Sequence, residues 1–251
     1  MRLFIRLMLL LIAPFILHAQ TKINANEILR QAELKRMPWQ QMSMYATIND
    51  VGNEKNANAV YHLFFDNNKV LVACDEPLSQ KGNLLLLQNN DMFLYIKSTA
   101  QPMKITPLQR LSGSVSFIDI AKLNWTKDYA LDSAKIINNE KKEIYFFQLH
   151  ANANDISYKK INLWIDKKSN QPLKEEIYLS SEKLYKTIVF TKYEIISGKE
   201  MNTQIEFIDH FNKEKKTTII FSKEKQEKNL PANYFITEKM AEISKEIISA
   251  N

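Results

Sequence analysis

The chain has 251 residues, 45% of them hydrophobic, enough for one large domain or two small ones with a sizeable core. Its formal charge of +6 is scattered, with lysines set beside glutamates as in KEKQEK (223–228), the pattern of a solvated face rather than of a nucleic-acid-binding patch. Only four glycines occur, at positions 52, 82, 113 and 198, so there is no glycine cluster to cradle a phosphate or open a dinucleotide fold.

Residues 1–19, MRLFIRLMLLLIAPFILHA, have the layout of a secretory signal peptide. Arg2 and Arg6 supply the positive start, an apolar stretch runs from Leu7 to Leu17, and the small residue Ala19 marks the expected cleavage point. The apolar run is about half of the roughly 20 residues that a membrane-spanning helix needs. The only cysteine, Cys74, lies far from the cleavage point, so no lipid anchor is expected there and no internal disulfide can form. Cys74 follows the apolar VLVA and is expected to be a buried, inert thiol. Export removes Arg2 and Arg6 and leaves residues 20–251 as a soluble single domain.

The first predicted element after the signal is a helix. Asn24 can cap it, Glu27 follows three residues on, and Ala25, Ile28, Leu29 and Ala32 form one apolar stripe before Met37-Pro38 stops it. From Trp39 the period becomes two, with Met42, Met44, Ala46 and Ile48 alternating with polar neighbours, then Tyr61, Leu63 and Phe65. Asp66-Asn67-Asn68 turns the chain into KVLVAC (69–74), and NLLLLQ (83–88) turns at Asn89-Asn90 into DMFLYIK (91–97). Thr106, Pro107 and Gln109 predict a short capped helix ended by Gly113, and a second short helix is predicted from Ser116, with Asp119 three residues later. Six further strands are predicted at 143–150, 159–166, 174–180, 184–196, 203–211 and 217–222. A closing helix is predicted from Thr237, with Met240, Ile243 and Ile247 on one face. Roughly ten strands joined by tight turns describe an antiparallel meander.

Residues that carry chemistry are sparse. His62, His150 and His210 are the histidines beyond the signal; none lies at metal-ligand spacing from another, and each falls in a strand candidate. Ser112-Gly113-Ser114 lacks the frame of a nucleophile elbow. Asp119 and Asp128 could pair for acid–base work, but a chain with 28 acidic residues offers such pairs by chance. No catalytic residue, cofactor or metal is expected. The apolar surplus along the strands fits a sandwich core, or a sheet curled into an incomplete barrel with a ligand space on its concave side.

Several positions carry a resemblance to a known family. They are Lys81-Gly82 before the leucine run, Asn90-Asp91-Met92 before aromatic-Leu-Tyr, Ile105, Arg110, Gly113, Asp119 and Asp128-Tyr129. Leu163-Trp164-Ile165-Asp166 with the later Pro172, and LPANYF (230–235), continue the series across nearly all of the exported chain. In order and spacing they resemble the outer-membrane lipoprotein-sorting, LolA-like family. The resemblance implies a mainly β fold, an unclosed antiparallel barrel with a few helices as plug or lid, in the periplasm. It implies an apolar cavity that shields the acyl chains of a lipid or lipoprotein in transit towards the outer membrane. The partners it implies are an inner-membrane transporter and an outer-membrane acceptor, with the carrier a monomer and no nucleic acid involved. The alternative is a lipid-sensing or protein-interaction module of the same fold.

Strand parity places Met44, Ile48, Leu63, Phe65, Leu94, Phe147 and Leu163 on the concave side as ligand-binding residues. Residues 106–123 are expected to form a lid, touching the cavity through Leu108, Leu111, Phe117 and Ile120 and hinged at Gly113.

Overall fold

The computed structural model describes residues 23–51, 59–88, 91–99, 101–120, 124–139, 142–211 and 215–249; the signal segment 1–19 and the Asn89-Asn90 turn lie outside the described residues. Helix α1 (Ala25–Arg36) begins as its sequence predicts, with the Asn24 side chain accepting the Glu27 N–H and Ala25, Leu29 and Ala32 buried. Strands β1 (Gln41–Val51), β2 (Ala59–Asp66), β3 (Lys69–Glu76), β4 (Leu84–Gln88), β5 (Asp91–Tyr95) and β6 (Pro102–Ile105) follow as a meander. A second meander runs through β9 (Tyr129–Asn139), β10 (Lys142–Ala151), β11 (Lys160–Asp166), β12 (Pro172–Tyr178), β13 (Leu184–Ile196), β14 (Lys199–Asp209) and β15 (Lys215–Gln226). Between them lie the small hairpin β7 (Arg110–Ser112) and β8 (Val115–Ser116), then α2 (Phe117–Ile120) and α3 (Trp125–Asp128). The chain closes on two 3₁₀ turns and α4 (Met240–Ser249).

The two meanders join where β15 returns to pair with β1, Ile219 opposite Ile48. Among the described residues the result is one 13-stranded antiparallel sheet whose edges are β6 and β9. A twisted sheet of more than about ten strands curls, and this one forms the unclosed barrel. Residues 106–120 and 124–128 lie between the two edge strands in the chain and bridge the open seam; 121–123, the end of the predicted lid, lie outside the described residues.

Apolar residues gather in two clusters because the sheet buries both faces over part of its width. The larger joins Met44, Leu63, Phe65, Phe147 and Leu163 with α1, Phe117, Ile120 and Trp125. The smaller joins Phe64, Leu71, Ala73 and Leu86 with Met240, Ile243 and Ile247 of α4. Strands covered on both faces lose the alternation of apolar and polar residues. That is why LLLL (84–87) is continuous and buried throughout. Helix α4 comes close because residue 82 is glycine: at φ +89 it avoids backbone strain, and a Cβ there would meet Ile248 Cδ1 at 2.4 Å. The Ser244 hydroxyl donates to the Gly82 carbonyl at 2.7 Å.

Candidate functional site

The bridge departs from its predicted form at its start. Residues 106–109 make a turn closed by the Gln109 N–H on the Thr106 carbonyl, and 110–116 form the β7–β8 hairpin where a capped helix is predicted. A single helical turn fixes many backbone angles for one hydrogen bond, so four residues do not sustain it alone. Gly113 therefore sits in a hairpin turn (φ +53), not between two helices. A Cβ at this position would lie 2.5 Å from Thr217 Oγ1. The next N–H, of Ser114, donates to that same oxygen at 2.8 Å, and the Ser114 hydroxyl donates to the Lys215 carbonyl at 3.1 Å. The hairpin tip is thus pinned to β15. The second predicted helix is present as α2, with the Asp119 carboxylate accepting the Ser116 N–H at 2.7 Å.

Two buried polar anchors hold the rest of the bridge to the sheet. Asp119 accepts from Lys186 Nζ of β13 and from the Tyr158 hydroxyl at 2.6 Å, and the side chains of Asp119 and Lys186 have no solvent exposure. Burial raises the Tyr158 hydroxyl above its ordinary value, and the adjacent Asp119 adds to the effect. Further along, the Trp125 indole N–H of α3 donates to Glu175 Oε1 of β12 at 2.5 Å. Glu175 is fully buried and its Oε2 has no hydrogen-bond partner. Burial pushes its carboxyl up to about 7, against the opposing pull of Arg36 and the Trp125 hydrogen bond. The Arg36 guanidinium of α1 lies 5.2 Å from the Trp125 ring centre and 5.7 Å from that of Phe190.

Between the bridge and the concave face of β2–β5 lies a cavity of about 260 Å3. Its sheet wall includes Tyr61, Val72, Cys74, Leu85 and Leu94, and the bridge covers it with Leu111 and Phe117. Gln80 and Asn83 are its polar lining. Burial raises the Cys74 thiol to about 11, so it stays protonated and unreactive near neutrality.

Of the ligand-binding residues predicted by parity, Leu94 lines this cavity. Met44, Ile48, Leu63, Phe65, Phe147 and Leu163 belong to the same apolar cluster but are at most 2% exposed and packed into closed core. Met44 also borders a separate void of about 20 Å3, beside Arg36, Asp119 and Ile120. Among the bridge residues, Leu111 and Phe117 touch the cavity, Ile120 is buried beyond it, and Leu108 is 37% exposed. Sequence reasoning missed Tyr61, Val72 and Leu85 as cavity wall, although their strand parity is that of Leu63 and Leu94. It also missed the buried Asp119–Lys186 pair, because nothing local in LYKTIVFTKYEII sets Lys186 apart from the surface lysines around it.

The histidines are dispersed. His62 stacks on Tyr45 with ring centres 4.2 Å apart, His150 Nδ1 meets Asp132 at 2.5 Å, and His210 Nε2 lies 2.8 Å from the Thr187 hydroxyl. Asp128 lies apart from the Asp119 anchor, and partial burial raises its carboxyl. Among the described residues no cluster of three or more His, Cys, Asp or Glu side chains is placed to hold a metal ion.

A family model described as "Uncharacterized protein" matches residues 66–242, well over half of the chain. The fold is similar to that of a LolA superfamily protein from Nitrosomonas europaea, with 25% identity and a TM-score of 0.79 over 86% of this chain and 99% of that one. The chain belongs to the LolA-like family. This LolA-like chain also shares its fold with a domain from Vibrio parahaemolyticus named for outer membrane lipoprotein sorting, at 18% identity and a TM-score of 0.74, over 86% of this chain and 97% of that one. A DUF1329 family protein from Desulfovibrio piger shares it at 17% identity and a TM-score of 0.72, with the same coverage of both chains. The search of curated proteins returns no match. Among the described residues of the LolA-like chain, no helix is long and apolar enough to cross a membrane.

Proposed function

We propose that this protein is a periplasmic carrier that shields the acyl chains of a lipid or lipoprotein during transfer towards the outer membrane, without catalysis. The observation that carries this reading is the apolar cavity of about 260 Å3 between the concave face of an unclosed barrel and the bridge across its seam. Leu94 stands on the cavity wall, and Met44, Ile48, Leu63, Phe65, Phe147 and Leu163 continue the same apolar cluster as its support. Each methylene withdrawn from water contributes about 0.8 kcal/mol, so capture needs no fuel. Release is the demanding step, and a lid supplies it by changing the balance between bound and free states.

The lid in this reading is the bridge, with Leu111 and Phe117 over the cavity, Ile120 and Leu108 flanking them, and Gly113 as the pivot at the hairpin tip. The secretory layout of residues 1–19 supports export to the periplasm. The carrier works as a monomer between an inner-membrane donor and an outer-membrane acceptor.

Protein purified from the periplasm without detergent is expected to release lipid on solvent extraction, identified by mass spectrometry. Hydrogen exchange is expected to slow across residues 106–120 when lipid is added to stripped protein. Protein that never carries lipid, with a bridge equally protected in both states, would overturn the carrier reading.

A further inference from the structure

Apart from the apolar cavity, the small void beside Arg36, Met44, Asp119, Asn202 and Ile205 is bordered by two residues with an unmatched buried polar atom. One atom is a donor, Arg36 Nη1 at the end of α1, and the other an acceptor, Asn202 Oδ1 on β14. Neither has a hydrogen-bond partner among the described residues. Asn202 is 1% exposed, and its amide has one workable orientation. Its Nδ2 donates to the Lys192 carbonyl at 2.8 Å and to the Gln204 carbonyl at 3.1 Å, so turning the amide over would set its oxygen against two carbonyl oxygens. Polar atoms buried in this way carry a desolvation cost that a shared partner removes.

The third polar group on the void is the Asp119 carboxylate of the bridge. It already accepts the Ser116 N–H, the Tyr158 hydroxyl and Lys186 Nζ. A carboxylate offers about four acceptor positions, so about one remains. The space open to the centre of a water-sized sphere is about 20 Å3, and one water needs roughly 10–15 Å3 of such space with about two to four polar partners. A metal cation there would face the Arg36 guanidinium, and an anion would face Asp119 and the Asn202 oxygen. Water is the small species that both accepts and donates.

We propose that the void is a site for one ordered water that accepts from Arg36 Nη1 and donates to Asn202 Oδ1 and to the Asp119 carboxylate. About three hydrogen bonds are the usual complement of a buried water. The site stands between the two polar anchors of the bridge. On one side the water touches Asp119, and on the other it holds the guanidinium that lies against the Trp125 ring. The inference is independent of the acyl-binding reading, because it uses neither the larger cavity nor any movement of the bridge.

The test is a crystal structure of the exported chain, at a resolution that shows ordered water, from crystals soaked in bromide. A peak within about 2.7–3.2 Å of both Arg36 Nη1 and Asn202 Oδ1, with no anomalous bromide signal, is expected. Crystals of Asn202→Leu and of Arg36→Met, tried separately in case one fails to fold, are expected to lack the peak, since each removes a partner that the water needs. An anomalous signal would make this a halide site and overturn the proposal. A void without density in the unaltered protein, or Arg36 Nη1 bonded directly to Asn202 Oδ1 or Glu175 Oε2, would overturn it too. A water that persists in every variant that folds would show that these two atoms do not hold it, with the same consequence.

Discussion

Glu175 makes the stability of this protein depend on pH in a direction opposite to that of an ordinary paired carboxylate. It is fully buried, one oxygen accepts the Trp125 N–H, and the other has no hydrogen-bond partner. Burial raises its carboxyl from the ordinary 4.5 to about 7, so the folded state holds the proton more tightly than the unfolded chain does. Stability from this group is therefore fully present below pH 4.5 and is lost as pH rises to about 7, by about 3 kcal/mol in total. Glu175→Gln keeps an acceptor for Trp125 and removes the titration. Urea unfolding of both proteins at pH 4, 6 and 8 should give equal stabilities at pH 4, with the variant more stable by up to about 3 kcal/mol at pH 8. His62, lowered by burial, and Asp128, raised by burial, also titrate, but they are common to both proteins and cancel in the difference. If the two proteins show the same pH slope between 4.5 and 7, Glu175 is already ionised in the folded state and the reasoning fails.

The Asp119–Lys186 pair predicts non-additive losses: Lys186→Met should cost about 3–5 kcal/mol by leaving the buried carboxylate without its cation, and adding Asp119→Asn should restore much of it. Denaturation curves in which the double variant loses the sum of the single losses would show that the two groups do not act together. Gly113→Ala should cost about 1–3 kcal/mol, from positive φ and the 2.5 Å approach to Thr217, with partial recovery on adding Thr217→Ala. Ile243→Ala on α4 should cost about 2–5 kcal/mol in the same assay, because the side chain is fully buried against the outer face of the sheet. Export is checked by N-terminal sequencing of the periplasmic protein, where the expected first residue is Gln20 and an intact Met1 would refute cleavage.

Local patterns alone determined α1 with its Asn24 cap, the apolar face of α4, and the central strands of both meanders. In each of these the residues that make the element also make its signal. Within the large sheet, the two strands absent from the sequence reading are its edges, β6 and β9. An edge strand packs against one neighbour and keeps a weaker apolar pattern: β6 is four residues beginning at Pro102, and the register of β9 shifts near Asp132 where Leu131 is exposed. The β7–β8 hairpin reads as a capped helix because Thr106, Pro107 and Gln109 have the right chemistry for one, while the contact that decides otherwise is with Thr217, more than a hundred positions away. Parity put Leu63, Phe65 and Leu94 on one face, yet it does not tell which part of that face stays open. That depends on where the bridge lies, and the bridge is held by Lys186 and Glu175, whose partners Asp119 and Trp125 meet them only after the sheet has curled. Burial of those polar groups is a property of the assembled barrel, and no window of sequence contains it.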